Sequence, residues 1–168
     1  EVFTDVDLAM APDAPVIRAG AADHSVPEGM HPNVVKFIDF GHGDLEAGFA
    51  AADLVRSQSY LTEATHQGYI EPQASTAHVQ ADGQITIWTS TQGTFAVRSQ
   101  VAEVLGLPVS RIKVVPTEIG GGFGGKISVY LEPLAVLLSR HAGFVPVRMV
   151  MSRTEVLTST GPTSGSDL

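Results

Sequence analysis

The stretch Val114-Val115-Pro116-Thr117-Glu118-Ile119-Gly120-Gly121-Gly122-Phe123-Gly124-Gly125-Lys126 runs from an apolar strand into five glycines around one phenylalanine. A helical pattern follows it. Without Cβ atoms, such a backbone reaches positive φ freely and brings its N–H groups close to a ligand, which makes a phosphate-bearing cofactor the expected guest. Gly120, Gly122 and Gly125 satisfy G-x-G-x-x-G, the loop that seats a pyrophosphate on a helix N-terminus. Gly120, Gly125 and Lys126 also satisfy G-x-x-x-x-G-K. That second pattern needs a Ser or Thr next to hold magnesium, and Ile127 stands there. The dinucleotide pattern wants an acid about 20 residues on. Val145 and Pro146 lie near that distance and Glu155 comes too late. A loop that merely packs a helix tightly on a strand is the remaining alternative.

Around this loop the chain reads as α+β. Ala74–Gln80 and Gln84–Thr89 flank Asp82-Gly83, a hairpin turn signal, so they are expected to be antiparallel neighbours. Phe95–Leu105 reads as a helix ended by Gly106, with Val97, Val101, Val104 and Leu105 on its core face. Ile112–Pro116, the glycine loop, a helix over Tyr130–His141 ended by Gly143 and a strand at Val147–Met151 read as a βαβ unit. Pro133 is confined to the first turn of its helix. Asp44 caps a short helix reaching Asp53, and Leu54–Glu63 reads as a strand. The tail from Thr158 reads as a loop with no final element. Residues 1–43, with Pro12, Pro15, Pro27 and Pro32, read as an extended acidic lead-in, the tail of a preceding domain or a linker. Residues 44–168 read as the first portion of a larger domain.

Composition removes several function classes. The 168 residues carry a net charge of −8, and residues 1–53 hold ten acids against only Arg18 and Lys36, so no basic surface exists for a nucleic-acid backbone. The absence of Cys excludes disulfides, iron–sulfur ligation and thiolate metal sites within this chain. The longest apolar run, Leu134–Leu138, is far short of the roughly 20 residues that span a bilayer. No signal-peptide pattern opens the chain, so a cytoplasmic protein is the default.

Four pieces in this order and spacing resemble one known family: Tyr69-Ile70-Glu71-Pro72, Ile87-Trp88-Thr89-Ser90-Thr91-Gln92, Val104-Leu105-Gly106-Leu107-Pro108 and Gly120–Lys126. From about Asn33 to Arg153 the chain is similar to the large, molybdenum-binding subunit of the xanthine dehydrogenase and aldehyde oxidase family. The resemblance implies molybdopterin, possibly in its cytosine dinucleotide form, holding the metal through a dithiolene, so that no protein group binds molybdenum directly. It implies that Gln92 offers its amide to the metal's apical oxo group. It places Phe123 and Gly124 against the metal centre, with Gly121 and Gly122 as close-approach neighbours. It also implies oxidative hydroxylation of a small molecule with water as oxygen source, and iron–sulfur clusters and FAD on partner subunits or domains. Purine-oxidising relatives carry a Glu after the loop Lys; Ile127 there points instead to an aldehyde or a less polar heterocycle. The family's catalytic Glu lies in a later domain without a counterpart here, so the chain alone is expected to be inactive, and Glu118, Glu132 and Glu155 are not substitutes for it. Lys126 either meets phosphate or pairs with Glu118 or Glu132. His66 and Glu71 receive no chemical role. A Rossmann-type dinucleotide enzyme and a non-catalytic interaction module are the rival readings.

Overall fold

The computed structural model describes residues 5–168, which divide into two compact units, one ending at Ser57 and one running from Gln58 to Leu168. In the first unit, Asp5 caps helix α1 (Val6–Ala9) and Asp44 caps helix α2 (Leu45–Ala51), each accepting a backbone N–H three residues on. Helix α2 stops at Ala51, two residues short of Asp53. Between the helices, Asn33 organises the turns: its amide donates to Ala9 O and Pro15 O, and its carbonyl accepts the Ile17 N–H.

The second unit is built on a four-stranded sheet in the order β4-β3-β2-β5, formed by β2 (Ala74–Val79), β3 (Ile85–Thr89), β4 (Ile112–Pro116) and β5 (Val147–Val150). The β2–β3 hairpin is antiparallel as expected, with Ser75 opposite Thr89 and Val79 opposite Ile85. Its turn works as the Asp-Gly pair demands. Gly83 takes φ +84°, and the Asp82 carboxylate accepts the Gln84 N–H at 2.9 Å.

Helix α3 (Thr94–Leu105) crosses from β3 to the adjacent parallel strand β4, a βαβ connection that periodicity alone did not assign. Gly106 ends it at φ +62°. Helix α4 (Glu132–His141), with Pro133 in its first turn, carries the chain from β4 to β5 at the opposite edge. The expected βαβ unit is therefore present as elements, with β3 and β2 lying between its two strands.

One face of the sheet is buried. Ala77 and Ile87 pack with Val97 and Val101 of α3 and Ala135 and Val136 of α4 into a single cluster. Val104 is an exception to the expected face of α3, being 62% exposed. The buried arc runs through Val97, Val101 and Ala102, which turns Val104 to its solvent edge.

Two segments differ from the sequence expectation. Of Leu54–Glu63 only Leu61–Thr62 is a strand (β1), and it pairs antiparallel with Ser166–Asp167 (β6) near the end of the tail. Helix α5 (Arg153–Ser159) precedes that strand and takes in Thr158. Its start signal, Ser152-x-x-Glu155, forms a complete capping box, with side chain and backbone satisfied reciprocally. The tail thus carries two elements, because a cap and a distant strand partner supply what apolar periodicity does not.

Candidate functional site

The glycine loop lies over a floor made by two other segments, Tyr69–Gln73 and Thr91–Gln92. Tyr69 is 1% exposed and packs directly beneath the loop: a Cβ added at Gly125 would stand 2.6 Å from its ring. A Cβ at Gly120 would meet the Glu71 side chain at 2.6 Å, and one at Gly122 would meet Gln92 Oε1 at 2.5 Å. Glycine at these positions is therefore required by the close approach of the floor. Gly121 and Gly124 adopt φ +95° and +87°, and Phe123 between them takes φ +51°.

The ends of the loop are closed by one carboxylate. Glu71 Oε2 accepts the Gly120 N–H at 2.8 Å and the Lys126 ammonium at 2.6 Å, while the Glu71 N–H donates to Gly120 O at 3.2 Å. Burial pushes the Glu71 carboxyl upward, but the hydrogen bonds from Lys126 and Gly120 outweigh it and hold the group below the usual glutamate range. The Lys126 side chain has no exposed surface and sits 5.1 Å from the centre of the Tyr69 ring. It pairs with neither Glu118 nor Glu132, and its ammonium is turned away from any ligand approaching from solvent. Glu132 is instead engaged at the start of α4, accepting from Thr89 Oγ1 at 2.6 Å and from the Tyr130 N–H at 2.9 Å. Glu155 serves its own capping box, and Glu118 is exposed.

Gln92 is held by its carbonyl. Oε1 accepts the N–H groups of Gly124 at 3.1 Å and Lys126 at 3.2 Å, and the Gln92 backbone N–H donates to Lys126 O at 2.9 Å. With the oxygen committed to the loop, the amide NH2 is left as an outward donor on an exposed residue. The N–H groups of Gly121, Gly122 and Phe123 have no partner among the described residues. The outer surface is open there: Phe123 is 73% exposed, and a Cβ at Gly124 would meet nothing within 4 Å. The structure thus brings together all five residues singled out from the sequence: Gln92, Phe123 and Gly124 are exposed, Gly121 is half-buried and Gly122 is buried behind them, and together they form one rim of donors. A neutral amide, three unpaired N–H groups and a bare glycine backbone suit an oxo-bearing, anionic group, and the rim fits a pterin-held metal centre in that respect.

Beneath the floor a polar relay ties the site to α5. Gln73 donates to Tyr69 Oη at 2.5 Å and to Gly125 O at 3.1 Å, and Tyr69 donates onward to Thr160 Oγ1. His66 meets the same Thr160 hydroxyl at 3.0 Å. Arg153 donates to the carbonyls of Tyr69 and Ile70. Sequence reasoning missed this supporting layer and Glu71 with it. Tyr69-Ile-Glu-Pro was visible as a motif, but nothing local says that Glu71 meets residues 49 and 55 positions away.

The dinucleotide reading loses its geometric basis. The glycine loop does not open a helix: six residues after Lys126, α4 begins at Glu132, with Leu131 at its N-cap. Among the described residues, no cluster of three or more His, Asp or Glu side chains stands ready to hold a metal ion, and no helix is long and apolar enough to cross a membrane.

Comparison with known proteins identifies the relatives of this chain. Over 157 residues the chain is 32% identical to the nicotinate dehydrogenase large molybdopterin subunit of Eubacterium barkeri, covering 94% of this chain and 34% of that one. It is 33% identical over 159 residues to the xanthine dehydrogenase molybdenum-binding subunit of Escherichia coli O157:H7, covering 95% of this chain and 20% of its relative. Among solved structures, the aldehyde oxidoreductase of Desulfovibrio gigas aligns with a TM-score of 0.69 at 27% identity, covering 94% of this chain and 16% of that one. The chain spans about a third or less of the length of these relatives. Residues 26–167 match the molybdopterin cofactor-binding domain family. A rim of free amide donors on a glycine loop, met by a family match over most of its length, makes this chain a member of the molybdopterin cofactor-binding domain family of the molybdenum hydroxylases.

Proposed function

We propose that the chain supplies one wall of the molybdopterin site in a larger oxidoreductase that hydroxylates an aldehyde or a heterocycle with water as oxygen source. The observation that carries this reading is the Gln92 carboxamide, pinned by its oxygen so that its NH2 faces outward beside the free N–H groups of Gly121, Gly122 and Phe123. When bound, the cofactor would supply the redox chemistry and the protein would orient it. Gln92 would donate a hydrogen bond from its amide to the bound group, and the bare loop backbone would let that group approach without steric hindrance. Phe123 covers it with an apolar ring.

Ile127, 47% exposed just past the loop, favours a substrate without ring nitrogens and carbonyls that demand hydrogen bonds there. The catalytic base belongs to another part of the parent, and so do the iron–sulfur clusters and flavin that take the electrons. The cofactor is molybdopterin, for which the cytosine dinucleotide is one candidate form, and the parent works in the cytoplasm. Residues 1–43 lead into the cofactor-binding domain, of which 44–168 is the first portion.

Gln92→Glu separates this reading from a merely structural one, because a carboxylate keeps the acceptor for Gly124 and Lys126 but loses the outward donor. In the full-length protein, we expect metal analysis to find molybdenum and pterin in the parent. The variant should turn over substrate at least about 100-fold more slowly while its fold is intact, on the scale of a lost oxyanion donor. A parent that contains neither molybdenum nor pterin, or a variant with unchanged turnover, overturns the proposal. If added NAD instead slows exchange of the loop amides, the dinucleotide reading returns.

A further inference from the structure

We propose that Glu71 and Lys126 are positioning residues for the cofactor, their ion pair closing the glycine loop and thereby setting the aim of the Gln92 donor and the free loop N–H groups. The inference rests on the reading above and extends it to two residues whose side chains are not themselves part of the cofactor-facing rim. Four observations lead to it.

First, the pair joins the two ends of the loop. Glu71 grips Gly120 through both its N–H and its carbonyl, and the same carboxylate oxygen holds the Lys126 ammonium at 2.6 Å. Second, the lysine cannot act on a ligand itself, since its side chain is fully buried and directed over Tyr69. Third, Lys126 is also the residue that fixes Gln92. Its N–H donates to Gln92 Oε1, and its carbonyl accepts both the Gln92 N–H at 2.9 Å and the Thr91 hydroxyl at 3.0 Å. Any shift of Lys126 therefore releases the carbonyl that orients the amide. Fourth, apart from this pair the loop is held by single bonds in its second half, Gln92 Oε1 accepting the Gly124 N–H, Gln73 donating to Gly125 O and the Gly125 N–H donating to Gly122 O. Five of its seven residues are glycines, and its outer face is uncovered. A flexible backbone that must present donors in fixed directions needs a tie at each end, and the carboxylate provides it.

The test uses the full-length holoenzyme and the double variant Glu71→Met/Lys126→Met, which leaves no uncompensated buried charge. Two readouts besides turnover are followed: amide hydrogen exchange, and the electron paramagnetic resonance spectrum of the Mo(V) state. Exchange at Gly120, Gly124 and Lys126 is expected to quicken by about tenfold or more relative to Ala77 and Ile87 in the hairpin. The Mo(V) spectrum is expected to shift in samples matched for molybdenum content.

Loop amides and spectrum identical to the unmodified enzyme would overturn the proposal. So would equal quickening in loop and hairpin, which marks a general structural role. If the double variant does not accumulate, Lys126→Met serves instead. It leaves the partly solvated Glu71 carboxylate as the acceptor for Gly120 but removes the tie at the other end of the loop, and the same loop-selective pattern is expected at smaller size, with the same contrary results decisive. A parent lacking molybdenum and pterin defeats the functional reading alone, because exchange in the cofactor-free protein still decides whether the pair closes the loop.

Discussion

Glu71 and Lys126, 55 positions apart in the chain, meet at 2.6 Å, and the lysine side chain is wholly buried while the glutamate keeps about a third of its surface in solvent. The asymmetry predicts unequal costs for breaking the pair. Glu71→Gln strands an ammonium in the interior and should destabilise the protein by about 3 kcal/mol or more. Lys126→Met leaves a carboxylate that water still reaches, so it should cost clearly less. Urea unfolding of the two variants gives the comparison, and the reverse order would contradict the geometry.

The same pair sets a pH dependence. Glu71 titrates below its ordinary value in the folded protein, so in the unfolded chain, where a glutamate titrates near about 4.3, the site binds its proton more readily. The pair's contribution is therefore fully present above that pH and is lost as pH falls through the lower folded value. The stability difference between the native protein and Glu71→Met/Lys126→Met should stay level from about pH 5 to 8 and shift against the native protein below about pH 4.3. A difference that is flat through the acid range would show that Glu71 is not held ionised by its neighbours.

Gly122→Ala should behave as a displacement of Gln92. The new methyl would stand 2.5 Å from Gln92 Oε1, and the carboxamide must leave the Gly124 and Lys126 N–H groups to make room. Combining it with Gln92→Ala removes the clash, so the double variant should be little less stable than Gln92→Ala alone. Fully additive losses in a thermal melt would point to a backbone effect instead.

Ser152→Ala removes the side chain that accepts the Glu155 N–H at the start of α5 and should cost about 1 kcal/mol. Because Arg153 in the same turn donates to Tyr69 O and Ile70 O, faster hydrogen exchange should extend from α5 to residues 69–71. Exchange confined to α5 would mean that the helix and the floor of the site are independent.

Much of the fold follows from near neighbours. Asp82-Gly83 can be read as a turn because Gly83 alone reaches φ +84° without cost, and Gly106 marks the end of α3 for the same reason at φ +62°. Pro133 sits in a first turn, the position where its missing N–H does no harm. The four residues Ser152 to Glu155 held an equally local signal for α5. The strand pairing of the tail held none, since Leu61 meets Asp167 across the length of the compact unit.

The site divides in the same way. Its parts were in the sequence: a glycine run able to bare its backbone, a neutral amide and a phenylalanine within the run. How they are aimed was settled only by folding. Gln92 faces outward because Gly124 and Lys126, 32 and 34 positions later, take its oxygen, and Lys126 faces inward because Glu71 lies beneath it. Local patterns record the conformations a backbone can take at low cost, whereas the direction of a donor depends on which distant group occupies the other end of the side chain, and that partner exists only once the chain has closed on itself.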